Sequence, residues 1–261
     1  MANVRAVTAT TAPAVGRRSL AAKLAWVGFA LAVVSALMLL NGAFGYRGGW
    51  VPLRQALFTW LRWGAYLGGA ASVVSIVAAI ASVRGPRRPL MVALAGLVLG
   101  AVTLGVPASW RLTANGLPPI HDITTDTQDP PQFVAVRPLR ANAPNPTEYG
   151  GPKIAAQQRA AYPELQPLIV DLPPDQAYER ALAAVRAMGW EMVAAEADEG
   201  RIEATDTTVW FGFKDDVVIR IRPEANGSRI DVRSLSRVGG GDVGTNAERI
   251  RRYLQELRTS R

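Results

Sequence analysis

The chain has 261 residues, of which 49% are hydrophobic, and it carries a net charge of +8 with no cysteine. This length allows one membrane unit and one domain with a core of its own. The lack of cysteine excludes disulfides, thiolate catalysis and cysteine metal sites.

The positive charge is concentrated in the first part of the chain. Residues 1–116 contain 11 Lys or Arg and no acidic residue, whereas the rest holds 18 basic and all 21 acidic residues. Nucleic-acid binding needs a basic surface on the domain that contacts phosphate. We therefore predict no nucleic-acid partner and assign the basic excess to membrane flanks.

Three uncharged stretches, residues 24–46, 63–83 and 89–110, each exceed the roughly 20 residues that a helix needs to cross a bilayer. They predict a three-helix transmembrane region over residues 24–110. The first stretch is interpreted as an uncleaved anchor, with a signal peptide as the alternative. Residues 53–61 have apolar side chains at helical spacing between tryptophans, which predicts a helix in the headgroup interface that leads into the second span.

The orientation follows from the basic residues. With the N-terminus inside, the cytoplasmic side holds seven Lys or Arg against four on the other side. We expect a multi-pass protein of the inner membrane, in contact with membrane lipid. Its tail, residues 1–23, is then cytoplasmic and its C-terminal domain, residues 111–261, is periplasmic.

Two small-residue motifs lie within the predicted spans. Gly64 and Gly68 form one pair, and Gly96 and Gly100 form the other. Such motifs let helix backbones approach closely, which permits an oligomer seam or packing among the chain's own helices. No span carries a charged residue or His, so ion transport by this chain alone is not expected.

The second half predicts an α+β domain. Residues 117–167 hold ten of the 18 prolines, a composition typical of a linker. Residues 168–258 are regular, with helices at 174–188 and 245–257. Strands are predicted at 168–171, 190–196, 201–207, 209–213, 217–223 and 229–238. The order β-α-β4/5-α indicates two layers, an antiparallel sheet with both helices on one face.

A hairpin turn at Asn226-Gly227 would set the register of the last two strands. It places Ala225 opposite Ser228, Arg222 opposite Asp231, Arg220 opposite Arg233, and Val218 opposite Leu235. The face away from the helices then collects Arg220, Arg222, Arg233 and Arg237. Either Asp231 and Glu203 neutralise these arginines, or the face binds an anion.

Three segments resemble a known family: PPIHDITTDTQDPPQF (118–133), GRIEATDTTVWFGFKDDVVIRIR (200–222) and DVRSLSRVGGGDVGTNAERIRRYL (231–254). Together with the MGW at 188–190 they resemble the domain-of-unknown-function family numbered 1499, over residues 117–258. The resemblance implies that the proline-rich stretch wraps the domain rather than linking it. It implies a fold and no catalytic residues.

Metal and nucleophile chemistry have few candidates. His121 is the only histidine, which leaves no Ser-His-Asp triad and no second imidazole for zinc. His121, Asp122, Asp126 and Asp129 could gather around a divalent cation, or the aspartates could fix turns. We predict no metal and no cofactor.

Two further polar sets suggest other sites. Asp206, Lys214, Asp215 and Asp216 could perform acid–base chemistry, although neighbours on a strand point to opposite faces. The glycine-rich loop 237–246 ends with Asp242 and Asn246 and is followed by Arg249, Arg251 and Arg252. This arrangement is suited to binding an anion; the alternative is that Asp242 caps the helix.

Trp210, Phe211 and Phe213 are predicted on one strand, with Trp210 on the opposite face from the other two.

These patterns favour a non-enzymatic, membrane-anchored domain that binds an anionic envelope component or a partner protein. The tentative ligand residues are Arg220, Arg222, Arg233, Arg237, Asp206, Lys214, Asp216, Asp242, Asn246 and Arg249. A carboxylate-dependent hydrolase or isomerase is one alternative, and a scaffold subunit of a membrane complex is another.

Overall fold

The computed structural model describes residues 14–259, and the chain divides into two compact units, Met1–Ser109 and Trp110–Arg261. The first contains α1 (Ala14–Arg47), a short α2 (Leu53–Gln55), a π-helical turn (Ala56–Leu61) and α3 (Arg62–Ser82). The last of its helices, α4 (Arg87–Asn115), continues into the second unit. The predicted tail comprises residues 1–23. Residues 1–13 of it lie outside the described residues, and the rest is helical from Ala14.

Three helical stretches are long and apolar enough to cross a membrane, by length and composition: Leu20–Arg47, Leu53–Ser82 and Arg87–Asn115. They confirm the predicted helical N-terminal unit. The segment predicted as an interfacial helix is continuous with the second stretch, because the π-helical turn joins α2 directly to α3.

The small-residue motifs lie where helices of the first unit approach one another. A Cβ on Gly64 would lie 2.2 Å from a Leu39 methyl carbon, and one on Gly100 would lie 2.8 Å from the Gly68 carbonyl. These glycines therefore allow packing within the chain, which was one of the two alternatives. Oligomerisation through the same glycines stays a prediction.

The second unit is an α+β domain. Its elements are β1 (Asp122–Thr124), α5 (Gly151–Ala161), β2 (Leu168–Val170), α6 (Pro174–Ala187), β3 (Glu191–Glu196), β4 (Arg201–Thr207), β5 (Lys214–Glu224), β6 (Gly227–Ser236) and α7 (Thr245–Thr259). All strand pairs are antiparallel, in the order β1-β6-β5-β4-β3, and β2 also pairs with β6. The predicted α+β class and sheet are thus confirmed.

One face of the sheet, called the helix face, is covered by α6 and α7. Its strands contribute β-branched side chains such as Ile202, Ile219 and Val232, which are fully buried. They pack against Val185 of α6 and Ile250 of α7 in one apolar core. Removal of this apolar area from water is the main driving force for the layer.

The opposite face, called the arginine face, carries alternate residues of β4, β5 and β6. The predicted faces are correct, but the predicted register is wrong. Arg220 lies opposite Asp231, Arg222 opposite Arg229, and Val218 opposite Arg233. The turn residues are 225 and 226, because Glu224 pairs with Gly227.

Gly227 serves another purpose than the predicted turn. Its φ is +145°, and a Cβ there would lie 2.1 Å from the Val170 carbonyl oxygen. Glycine is needed because β2 passes close to this backbone. The register error of two residues leaves each side chain on its predicted face, since side chains alternate with a period of two.

One other prediction fails. Residues 209–213 form a turn between β4 and β5 rather than a strand, so the predicted alternation of Trp210 with Phe211 and Phe213 is wrong. The turn is closed by Gly212 at φ +66°.

The proline-rich stretch 117–167, called the wrap, contains β1, a 3₁₀ turn (Pro138–Arg140) and α5. It is thus part of the domain, as the family resemblance implies, and not the linker that its composition alone indicates.

Candidate functional site

The arginine face is neutralised by carboxylates of the wrap and of the sheet itself. Arg220 donates to Asp231 at 2.9 Å and to Asp129 at 3.0 Å. Arg222 donates to the same two carboxylates, at 3.1 and 3.0 Å. Arg229 donates to Asp126 at 2.7 Å. Three cations and three carboxylates therefore balance at this end of the face.

Arg233 is fully buried at the centre of this face. Its Nε and Nη2 donate to the two Asp122 carboxylate oxygens at 2.9 and 2.8 Å. Its guanidinium carbon lies 4.9 Å from the Phe133 ring centroid and 5.5 Å from that of Tyr149. Burial, with the nearby Asp122, raises the pKa of Tyr149 to about 12, against the opposing effect of Arg233. Arg233 is therefore enclosed by protein groups, with an acceptor for each of its three nitrogens and two aromatic rings beside its guanidinium.

Asp216 collects three donors at the other end of the face. Arg237 donates to its Oδ1 at 2.8 Å, Thr205 donates at 2.7 Å, and Arg140 of the wrap donates to its Oδ2. Burial would raise the pKa of Asp216, but the hydrogen bonds from Arg237, Thr205 and Arg140 hold it below its usual value. Arg140, which no sequence pattern singles out, is 5% exposed.

A second polar cluster lies on the helix face. Arg249 of α7 donates to Asp206 at 2.8 Å and to Asp215 at 2.6 Å. Its remaining nitrogen donates to Asn246 at 2.6 Å and to Ser234 at 3.1 Å. The structure thus joins Asp206, Asn246 and Arg249 of the predicted set.

The proposed acid–base residues are not brought together as one set. Asp216 faces the arginine side of the sheet, whereas Asp206 and Asp215 share Arg249 on the helix side. The Lys214 ammonium lies 3.8 Å from the Glu191 carboxylate, near neither group. The sheet therefore separates Asp216 from Asp206 and Asp215, which are cross-strand neighbours bound to the same guanidinium.

The glycine-rich loop caps the start of α7 through the Asp242 side chain. The Asp242 carboxylate accepts from the Gly244 amide at 2.9 Å and from the Asn246 amide at 2.6 Å, as the capping alternative expects. Burial raises the pKa of Asp242; the two amide hydrogen bonds oppose this change and the Asp215 charge adds to it. Because this carboxylate already occupies the exposed helix amides, an anion would meet negative charge here.

The aspartates near His121 also accept hydrogen bonds from other residues of the domain. Asp122 pairs with Arg233, and Asp126 accepts from the amides of Gln128 and Asp129 at 3.0 Å each. That is the turn-fixing alternative. Among the described residues, no group of His, Asp and Glu is arranged to hold a metal ion.

A cleft of about 770 Å³, called the acidic cleft, lies between the start of α6, the turn after β3 and the end of β5. Its wall includes Asp175, Glu179 and Asp198, which are exposed and make no salt bridge to another described residue. The wall also includes Tyr178, which is 5% exposed and whose hydroxyl has no hydrogen-bond partner among the described residues. Burial raises the pKa of this hydroxyl, Glu179 and Glu196 raise it further, and Arg201 opposes them.

The other walls of the acidic cleft are apolar or already paired. Pro174, Ile221 and Pro223 supply apolar surface. Glu199 accepts from Arg201 at 2.9 Å, and Arg222 is held by Asp129 and Asp231. The cleft therefore combines three carboxylates without salt-bridge partners, a buried hydroxyl and an apolar wall.

Residues 122–257 match the family described as protein of unknown function, DUF1499. The chain belongs to this family. The match confirms the resemblance and begins at Asp122, the partner of Arg233, so that most of the wrap belongs to the DUF1499 domain. A search of curated proteins found no match to the chain.

Sequence reasoning missed two important groups of the DUF1499 domain. Glu203, predicted to neutralise Arg220, Arg222, Arg233 or Arg237, pairs with Arg201 instead. It also accepts from the amides of Val134, Ala135 and Val136 at 2.9–3.0 Å, which was not predicted. The acidic cleft was also missed, because its carboxylates come from separate segments. The only local signal was the acidic turn after β3, residues 198–199.

Proposed function

We propose that this DUF1499 protein is a membrane-anchored, extracytoplasmic binding domain whose acidic cleft holds a cationic segment of a partner protein. The supporting observation is that one cleft is lined by three carboxylates that have no salt-bridge partner among the described residues and by Tyr178, whose buried hydroxyl has no hydrogen-bond partner among them. A lysine ammonium carries three donors and no acceptor, which complements these groups. Its aliphatic stem matches the apolar wall of Pro174, Ile221 and Pro223.

An anionic ligand on the arginine face receives less support. Arg220, Arg222, Arg233 and Arg237 each donate to a carboxylate of the domain itself. An added anion would have to displace one of these carboxylates, which would leave that carboxylate without its partner. Of the two expected ligands, an anionic envelope component and a partner protein, we therefore favour the partner protein.

The binding assay uses the full chain in phosphatidylcholine nanodiscs and a trilysine peptide as the probe, followed by calorimetry. Neutralising two carboxylates with Glu179→Gln and Asp198→Asn should weaken binding by about 2- to 30-fold, since an exposed ion pair contributes roughly 0.2–1 kcal/mol. A control with Glu191→Gln and Glu248→Gln has the same net charge and should keep the wild-type affinity. Equal losses of peptide affinity in both variants would reject the acidic cleft as the binding site.

The Tyr178→Phe variant tests the hydroxyl separately. It keeps the ring in the apolar core and removes only the oxygen, so the fold should be retained. We expect weaker peptide binding than in the wild type. Unchanged binding would remove the hydroxyl from the proposed site.

The compartment is proposed from the charge distribution, with the spans in the inner membrane and the DUF1499 domain in the periplasm. Because the chain has no cysteine, each single substitution gives one labelling site. A membrane-impermeant maleimide applied to intact cells with a permeabilised outer membrane should label Ala225→Cys and not Gly85→Cys. The reverse pattern would place the domain in the cytoplasm.

A further inference from the structure

The turn between β4 and β5, residues 208–213 and here called the hairpin tip, exposes large apolar side chains. Val209 is 74% exposed and Trp210 is 53% exposed. The tip contains no acidic residue. Apolar and aromatic side chains of this kind are favoured at the boundary between lipid headgroups and acyl chains.

The hairpin tip is a preformed structure. The Thr208 amide donates to the Phe213 carbonyl at 2.9 Å, and the Phe213 amide donates to the Thr208 hydroxyl at 2.9 Å. The Phe211 and Phe213 rings stack with their centroids 5.0 Å apart. The backbone of the tip therefore does not need to be ordered when the exposed side chains enter another apolar environment.

The chain enters the domain at the same end of the sheet. Asp122, the first residue of β1, pairs with Leu235, and Leu235 pairs with Asp216, two residues from the start of β5. The turns at residues 197–200 and 225–226 lie at the opposite end of the strands. The 11 residues of β5 separate the two ends by about 35 Å.

The tether to the last apolar helix is short. Four residues, 116–119, separate the end of α4 from Ile120, which is buried in the core of the domain. An extended chain of this length reaches about 17 Å. At most about 17 Å of chain therefore joins Asn115, the last residue of α4, to the end of the sheet that carries the tether.

From these observations we infer that the hairpin tip inserts Val209 and Trp210 into the headgroup and upper acyl region of the bilayer that holds the chain. The tip is then a second membrane contact, beyond the spans. The acidic cleft, which includes the turn at 197–200, lies at the other end of the strands and is presented to the aqueous compartment. The insertion does not depend on what the cleft binds.

The test uses the full chain in nanodiscs that contain phospholipid with a nitroxide near the top of the acyl chain. An NBD fluorophore is attached to Val209→Cys or, as a matched control, to Ala225→Cys. Each emission is normalised to nanodiscs without nitroxide. We expect several-fold stronger quenching at position 209 than at position 225, because the control lies at the far end of the sheet. Equal quenching at the two positions would overturn the inference.

A second variant tests whether the apolar side chains cause the insertion. Adding Trp210→Glu to the chain labelled at position 209 should reduce the quenching to the level of the control, because a carboxylate is unfavourable at acyl depth. The substituted side chain is exposed, so the domain should fold, and unchanged protease resistance would verify this. Undiminished quenching in the folded variant would also overturn the inference.

Discussion

The two faces of the one sheet are stabilised by different means. The helix face buries Ile, Val and Ala side chains against α6 and α7, with the Arg249 cluster at one end. The arginine face is covered by an irregular segment that has few apolar contacts, chiefly Phe133 and Val136 against Val218 and Leu235. On that face, carboxylates and backbone carbonyls of the wrap, together with Asp216 and Asp231 of the sheet, accept hydrogen bonds from the sheet's arginines.

The difference shows how a segment without regular periodicity can be part of a core. The wrap places Ile120, Ile123, Tyr162 and Leu165 in the core of the helix face. Over the arginine face it buries few apolar side chains, so its position there depends on charged hydrogen bonds whose partners are far apart in the chain. Such bonds are specific in geometry, but each leaves a costly unpaired charge if its partner is removed. We expect the helix face to tolerate changes in polarity poorly and the arginine face to tolerate changes in charge poorly.

The largest effect is expected for Arg233→Met. This substitution leaves Asp122 buried without its cation, which should lower the free energy of unfolding by about 3–5 kcal/mol. Urea unfolding of the full chain in detergent, followed by tryptophan fluorescence, would measure it. The double variant Arg233→Met with Asp122→Leu should recover much of the loss. A cost below about 1 kcal/mol for the single variant would contradict the buried ion pair.

On the helix face, Ile219→Ala removes a fully buried side chain and should cost about 2–5 kcal/mol through lost burial and the cavity it leaves. The same unfolding assay applies. This cost should be nearly independent of pH between about 5 and 8, since no charge is removed. Exposed Val209→Ala serves as the control and should change stability little.

The attachment of the wrap is tested by Glu203→Gln. The variant keeps one carbonyl oxygen, but an NH2 replaces either the Oε1 that accepts from Val134 and Ala135 or the Oε2 that accepts from Val136, and the charge is lost; the cost should be about 1–3 kcal/mol. Hydrogen exchange at these three amides should accelerate, while exchange in β5 changes less. Equal acceleration at both places would indicate global destabilisation instead of local release.

The smallest expected effect is on the pH dependence of stability, which should differ in sign between Asp242 and Asp216. The pKa of Asp242 is raised in the folded protein, so its contribution to stability is present below the ordinary aspartate pKa and is lost as pH rises through the folded value. Asp242→Asn should therefore flatten the fall in stability above about pH 4. The pKa of Asp216 is lowered, so its contribution is lost as pH falls through its folded value. Unfolding midpoints across this range should show the two opposite slopes.

The sequence predicted the faces of the sheet better than its register. Alternation alone separates Arg220 and Arg222 from Ile219 and Ile221, because the period of a strand is two. The register failed because Gly227 was interpreted as a turn residue, whereas it accommodates the passage of β2. Such a requirement comes from a strand nearly 60 residues earlier and leaves no local pattern.

The candidate site was less predictable for the same reason. Composition indicated a linker where the wrap lies, and only the family resemblance suggested that it belongs to the domain. Asp122 is 111 residues from Arg233, and their pairing gives no periodic signal. The acidic cleft likewise assembles Asp175, Glu179 and Asp198 from a helix and a distant turn.

The position of Asp122 has a mechanical consequence. It is the first residue of β1, two residues after Ile120, where the short tether enters the core. Any force transmitted along the tether therefore reaches β1 first, and both oxygens of the Asp122 carboxylate are clamped by Arg233 in the centre of the sheet. Load applied at the anchor is carried to β6, a strand with neighbours on both sides, instead of peeling a three-residue strand from the edge.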